Sequence, residues 1–224
     1  MSLFGHRHVS RKIGANHPLS GKTVYIPIMA EGSSEAFAAA FRWLGIAAQT
    51  TPPSDERTRE LGGKYTSGDE CYPAKVTVGD FLRVIERPGF DASRASFFMP
   101  TADGPCRFGQ YAPFLRKILR DAGYGDVQVL SPTSHNGYAD LGADIASLFL
   151  RTAWRALVAV DTLHRALLKT RPYETTPGAA DRTFQDSLED VCQTIENSCG
   201  DAACQLRALI EAMTRARDRF RRVP

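Results

Sequence analysis

Two cysteines sit where the chain changes from loop to helix, a position in which thiols do chemistry. Cys106 lies in Gly104-Pro105-Cys106-Arg107-Phe108-Gly109-Gln110-Tyr111, between a strand-like run from Ala95 to Pro100 and a helical run starting near Phe108. Pro105 blocks a helix ahead of the thiol, and Gly104 permits unusual backbone angles. Cys71 repeats the arrangement in Gly68-Asp69-Glu70-Cys71-Tyr72-Pro73-Ala74-Lys75, where Pro73 suits the first turn of a helix running toward Val84. Free N–H groups and the positive end of a helix dipole favour a thiolate at such junctions. Two thiolates make a ligand pair for a soft metal or an iron–sulfur cluster, whereas one alone is a nucleophile. The wide separation of Cys71 and Cys106 is unlike a compact Cys-x2-Cys zinc spacing.

Other reactive side chains surround this pair. Lys75 and Arg107 stand next to the thiols, and Gln110 and Tyr111 follow Cys106 by one helical turn, as substrate or outer-shell candidates. His135, in Ser134-His135-Asn136-Gly137, follows a strand end and is a candidate for substrate binding or proton transfer, including service as a base for Cys106. Asp69, Glu70 and Asp103 are explained equally well as turn and cap residues. His6 and His8 form a His-x-His pair without nearby acids, the pattern of surface residues. Cys192 and Cys199 are spaced to join an apolar helix face as core thiols, while Cys199 and Cys204 straddle a helix break and offer a third cluster ligand.

The elements that must position these groups alternate. Residues 1–20 read as an extended arm. Strands are expected at 23–29, 46–50, 95–99 and 127–130. Helices are expected at about 34–44, capped by Ser34, then from Cys71 to before Pro88, and from Phe108 to Gly123; Asp55 to Leu61 reads as a short helical turn. Such alternation predicts an α/β fold with a mostly parallel sheet, a Rossmann- or flavodoxin-like layer, over 21–137. In these sheets ligands collect beyond the carboxyl ends of strands, where the Cys106 loop falls. From 138 to 224 the pattern is helical: one long helix from Ala143 to Arg171, another from Ala179, and a break at Gly200 with Asp201 capping the restart. This long-helix extension is most simply a scaffold, and its length and Trp154 leave room for a partner helix or a homo-oligomer face through 141–220.

Bulk properties narrow the classes. The 224 residues carry a formal net charge of +3, too weak to argue for nucleic acid or a membrane surface. The five arginines between Arg215 and Arg222 read as a solvated helix end, the alternative being contact with an acidic partner or phosphate. No apolar run approaches the ~20 residues of a membrane span, and Met1 to Ser20 has no apolar signal region. A cytoplasmic chain is therefore expected, where disulfides are rare.

Thr23-Val24-Tyr25-Ile26-Pro27, Ala39-Ala40-Phe41-Arg42, Gly45-Ile46, Glu70-Cys71-Tyr72-Pro73, Phe98-Met99-Pro100 and Gly104 to Tyr111 occur in one order. The series resembles the family related to 2-hydroxyacyl-CoA dehydratases and their activases, specifically the dehydratase-like segment of large CoA-activase proteins, across roughly residues 20–220. The resemblance implies a [4Fe–4S] cluster with Cys71 and Cys106 as ligands, reduced by an ATP-dependent activase. It implies further ligands from a second α/β domain or subunit, because the pair alone is an incomplete set. No Gly-rich phosphate loop of the ATPase half is present in the sequence.

Overall fold

The computed structural model describes residues 13–224; the His6–His8 pair and most of the expected arm lie outside them. Among the described residues, four strands and seven α-helices alternate: β1 Thr23–Ile26, α1 Ser33–Trp43, β2 Ala47–Thr50, α2 Glu56–Tyr65, α3 Tyr72–Ile85, β3 Ala95–Phe98, α4 Tyr111–Asp121, β4 Gln128–Leu130, α5 Ala146–Thr170, α6 Ala179–Glu196 and α7 Ala202–Phe220. The fold is α/β with an all-parallel sheet and long C-terminal helices. The chain forms two compact units. One comprises Ile13–Ser34 and Ile46–Ser147, and the other comprises Glu35–Gly45 and Leu148–Pro224.

The first unit holds the sheet, in the order β2-β1-β3-β4. β1 is central, pairing in parallel with β2 from Thr23↔Ala47 and with β3 from Thr23↔Ala95. Apolar residues on both faces of these short strands fit a sheet buried on both sides. Phe97, Val129 and Tyr25 join one cluster with α2, α3 and α4, through Leu61, Val78, Phe81, Leu115 and Leu119. Phe81 of α3 stacks on Phe97, centroids 4.4 Å apart. Val24, Ile26, Phe98 and Leu130, on alternate positions, are buried as well.

Differences from the sequence reading have local causes. β1 stops at Ile26 because Pro27 has no N–H to give a ladder. Ser34 does not cap α1, since its hydroxyl donates to the Pro27 carbonyl at 2.7 Å. Residues 13–20 are not extended: turns close there, and His17 and Leu19 are buried, with His17 Nε2 donating to the Leu141 carbonyl at 3.1 Å.

The expected short turn after Asp55 is a full helix, α2, started by a capping box in which the Asp55 carboxylate accepts from the Thr58 N–H. It runs through Gly62 and Gly63 because α3 crosses it at backbone contact. A Cβ on Gly62 would lie 2.0 Å from the Lys75 carbonyl oxygen, and one on Gly79 2.0 Å from that of Thr58. Asp80 is buried beside this crossing and accepts from Ser54 Oγ and Thr58 Oγ1, both at 2.8 Å. Burial pushes its carboxyl above the ordinary range, against those two hydrogen bonds and the charge of Arg83.

In the second unit, Phe41 and Phe149 lie 4.2 Å apart, and Trp43 Nε1 donates to the Ser198 carbonyl at 3.1 Å. α6 packs against α7, and Asp201 caps α7 by accepting from the Cys204 N–H. Among the described residues, no helix is long and apolar enough to cross a membrane.

Gly79→Ala should cost about 1–3 kcal/mol, the range for overpacking against a wall that cannot yield. A urea unfolding midpoint equal to that of the wild type would show that α2 and α3 are not held in backbone contact.

Candidate functional site

The site lies where the loops after β1 and β3 meet the first turn of α3. Glu70 Oε2 accepts from the N–H groups of Ser67 and Gly68 and closes the turn ahead of Cys71, so this acid shapes the loop. Cys71 then stands at the N-cap of α3, with Pro73 in the first turn. Past β3, Gly104 turns the chain at φ +97°, a conformation that favours glycine, and Cys106 stands at the N-cap of the 3-10 turn Arg107–Gln110. Tyr111 opens α4 from the end of that turn. Both cysteines therefore occupy the N-cap position of a helical turn, and neither thiol makes a capping hydrogen bond.

Tyr111 joins the two junctions. Its hydroxyl lies 2.7 Å from Cys71 Sγ. That hydrogen bond, above all, holds Cys71 below the usual thiol range. The Ala74 N–H and the Arg107 charge act in the same sense, and burial opposes them. Burial and the bond to Cys71 push the Tyr111 hydroxyl in the other direction, and the nearby Cys106 adds to the rise. The phenol stays protonated and acts as donor to sulfur. Arg107 crosses between the loops and donates Nη1 to the Asp69 carbonyl.

Beside this pair opens a cavity of about 430 Å³, lined by Asp69, Glu70, Cys71, Arg107, Gln110 and Tyr111 and walled on its apolar side by Ala74, Pro113 and Phe114. A second cavity of about 350 Å³, also lined by Tyr111, contains Ile28 and Met29 after β1, Tyr72 and Pro73 of α3, and Phe108. β1 and β3 are neighbours whose following crossovers run to opposite sides, the switch point at which parallel sheets bind ligands.

Of the sequence candidates, Cys71, Arg107, Gln110 and Tyr111 share the first cavity. Cys106 is exposed and does not line it. Lys75 packs against Gly62 of α2. His135 Nε2 lies 2.9 Å from Asp103 Oδ2, both side chains exposed, so the imidazole is engaged by a carboxylate rather than by Cys106. Pro113, Phe114 and Lys117 went unmarked in the sequence; their signal is the helical spacing Tyr111, Phe114, Lys117 along one side of α4.

The remaining cysteines have separate fates. Cys192 is buried, as the sequence suggests, and burial pushes its thiol up to about 12. Cys199 is not on an apolar helix face. α6 ends at Glu196, and Cys199 lies beyond it in a disulfide with Cys204. The expectation of no disulfides is thus corrected, and neither sulfur is a free third ligand. Among the described residues, no group of three or more His, Cys, Asp or Glu side chains is arranged to hold a metal ion.

Fold and site together define a parallel α/β chain with a hydrogen-bonded cysteine–tyrosine pair, Cys71 and Tyr111, at its strand-end crevice. No family model, curated protein or solved structure matches the chain.

Replacing Tyr111 with Phe removes the main stabiliser of the Cys71 thiolate. The pH profile of Cys71 alkylation in the metal-free protein should then move upward, because deprotonation must occur without the hydroxyl donor. Peptide mapping of iodoacetamide-labelled protein at a series of pH values measures it; an unmoved profile would show that Tyr111 does not govern this thiol.

Proposed function

We propose that this chain is an iron–sulfur-binding redox or dehydratase-related module of the 2-hydroxyacyl-CoA dehydratase and CoA-activase type, with Cys71 and Cys106 as thiolate ligands. The observation that carries the reading is the setting of Cys71: a thiol at the N-cap position of α3, biased toward thiolate by Tyr111 and Arg107, with Cys106 at the N-cap position of the next helical turn and acting on the same phenol.

The donor set fits a cluster in part. Thiolates are its usual protein ligands, and helix N-termini favour anions. Two thiolates leave positions to be filled from outside the described residues, which agrees with a partner α/β domain or subunit as the source. A bound [4Fe–4S] cluster supplies one-electron transfer or a Lewis-acidic iron. The chain's own residues do the rest. Arg107 offsets negative charge at the Cys71 sulfur, Tyr111 donates to Cys71, and Gln110 lines the cavity. Pro113 and Phe114 keep that side of it dry. An ATP-dependent activase is the proposed electron source and the cytoplasm the proposed location.

A second reading is a thiol enzyme with Cys106 as its nucleophile and His135, which Asp103 can orient, as its base. Anaerobic reconstitution with ferrous iron, sulfide and a small thiol to fill the open positions separates the two. The cluster reading expects iron and acid-labile sulfide in equal amounts and broad visible absorption, each lost in Cys71→Ser and in Cys106→Ser while the far-ultraviolet circular dichroism is retained. Background iron in the wild type, or full iron content in both variants, removes the cluster assignment.

A further inference from the structure

α5 and α7 of the helical unit leave an apolar groove of about 650 Å³ between them. Trp154 and Val158 line it from α5, one turn apart, and Leu206 and Ile210 line it from α7 at the same spacing. Among the described residues, eight large apolar side chains are exposed, and these four share the one groove, Trp154 at 68% and Ile210 at 56% exposure. Such clustering marks an interaction surface, where scattered exposure would not.

Charge decides the occupant. Among the described residues, the charged side chains lining the groove are Arg155 and Arg217. Arg155 Nη1 donates to the Ala202 carbonyl at 2.9 Å and to Gln205 Oε1 at 3.1 Å. Both partners are neutral, so the guanidinium is held in place without its charge being cancelled. Arg217 pairs with Asp218 on its own helix, an exposed ion pair that a partner's carboxylate can replace at little cost. A second copy docked groove to groove would set Arg155 and Arg217 against their own counterparts. The segment Met1–Lys12 is no better suited, carrying Arg7, Arg11 and Lys12 and no acid.

We propose that the α5–α7 groove docks an amphipathic helix of a partner protein. The partner's apolar stripe, at i, i+3/i+4 and i+7, fills the groove, and its flanking carboxylates pair with Arg155 and Arg217. The surface is independent of the thiol site, and its test requires no cluster.

The test uses the full chain and two synthetic amphipathic helices with the same leucine stripe, one flanked by glutamates and one by lysines. Trp154 reports by fluorescence; Trp43, the other tryptophan, is buried, and Trp154→Phe identifies the signal. The glutamate helix should bind saturably and about tenfold more tightly than the lysine helix, the difference shrinking in salt. Ile210→Glu should abolish binding, and Arg217→Glu should reverse the preference. Equal affinity for both helices, or no saturable change with either, overturns the proposal. So does concentration-dependent dimerisation in sedimentation that Ile210→Glu removes, which assigns the groove to a second copy. Binding that appears only after residues 1–12 are deleted assigns it to that segment and overturns the proposal equally.

Discussion

The pairing of β3 with β1, in place of β2, is the constraint on which the site depends. With β1 central, the connection through α1 leads to one edge, and the connection through α2 and α3 returns across β1 to the other side. The loops after β1 and β3 are thereby neighbours at one end of the sheet, and nothing in the sheet fills the space beyond them. Ile28 and Met29 from the first loop and Phe108 from the second line one cavity with the start of α3. Had β3 added beyond β2, residues distant in sequence would not meet there.

That topology supplies a crevice but no chemistry. Chemistry comes from how closely α3 is held. Gly62 and Gly79 let α2 and α3 approach until carbonyl oxygens occupy the space of a side chain, and Asp80 binds the crossing through a buried hydrogen bond from Thr58 and a half-buried one from Ser54. A buried carboxyl there is tolerated because both oxygens accept hydrogen bonds, in keeping with the cost of unpaired buried polar groups. With α3 fixed, its N-cap lands against the first residue of α4, and a thiol meets a phenol. Environment then separates cysteines that composition cannot. Cys71 is drawn toward thiolate by a donor and a cation, Cys192 is held as a thiol by burial, and Cys199 and Cys204 are joined to each other.

Much of this was legible in the residues. Three strands were within reach because their runs ended at Pro52, Pro100 and Pro132, while the first was carried past its true end at Pro27, and the two thiols could be placed at helix starts from their neighbouring Gly and Pro. What escaped was tertiary. Gly62-Gly63 reads locally as a helix breaker, and only the carbonyl of Lys75, from another helix, turns Gly62 into a requirement. The same absence of long-range information hid the partner of His135, whose Nε2 lies against Asp103. Cys199 fitted a helical period that the chain had already left at Asn197. Spacing marks which residues share a face if a helix continues, and it carries no information on whether the helix does.

The character of the thiol site also bears on what it is suited to do. A hydrolytic or transfer thiol needs a neighbour that accepts its proton and returns it, so a base titrating near the working pH is required. The neighbour of Cys71 is a phenol pushed upward, which donates to sulfur and keeps its own proton. Arg107 cannot take a proton either. Tyr111, the Ala74 N–H and Arg107 stabilise negative charge on this sulfur against the burial that opposes them, and none of the three shuttles a proton. Such surroundings suit a sulfur that must remain anionic through a cycle, as a metal ligand does, better than one that alternates between thiol and thiolate.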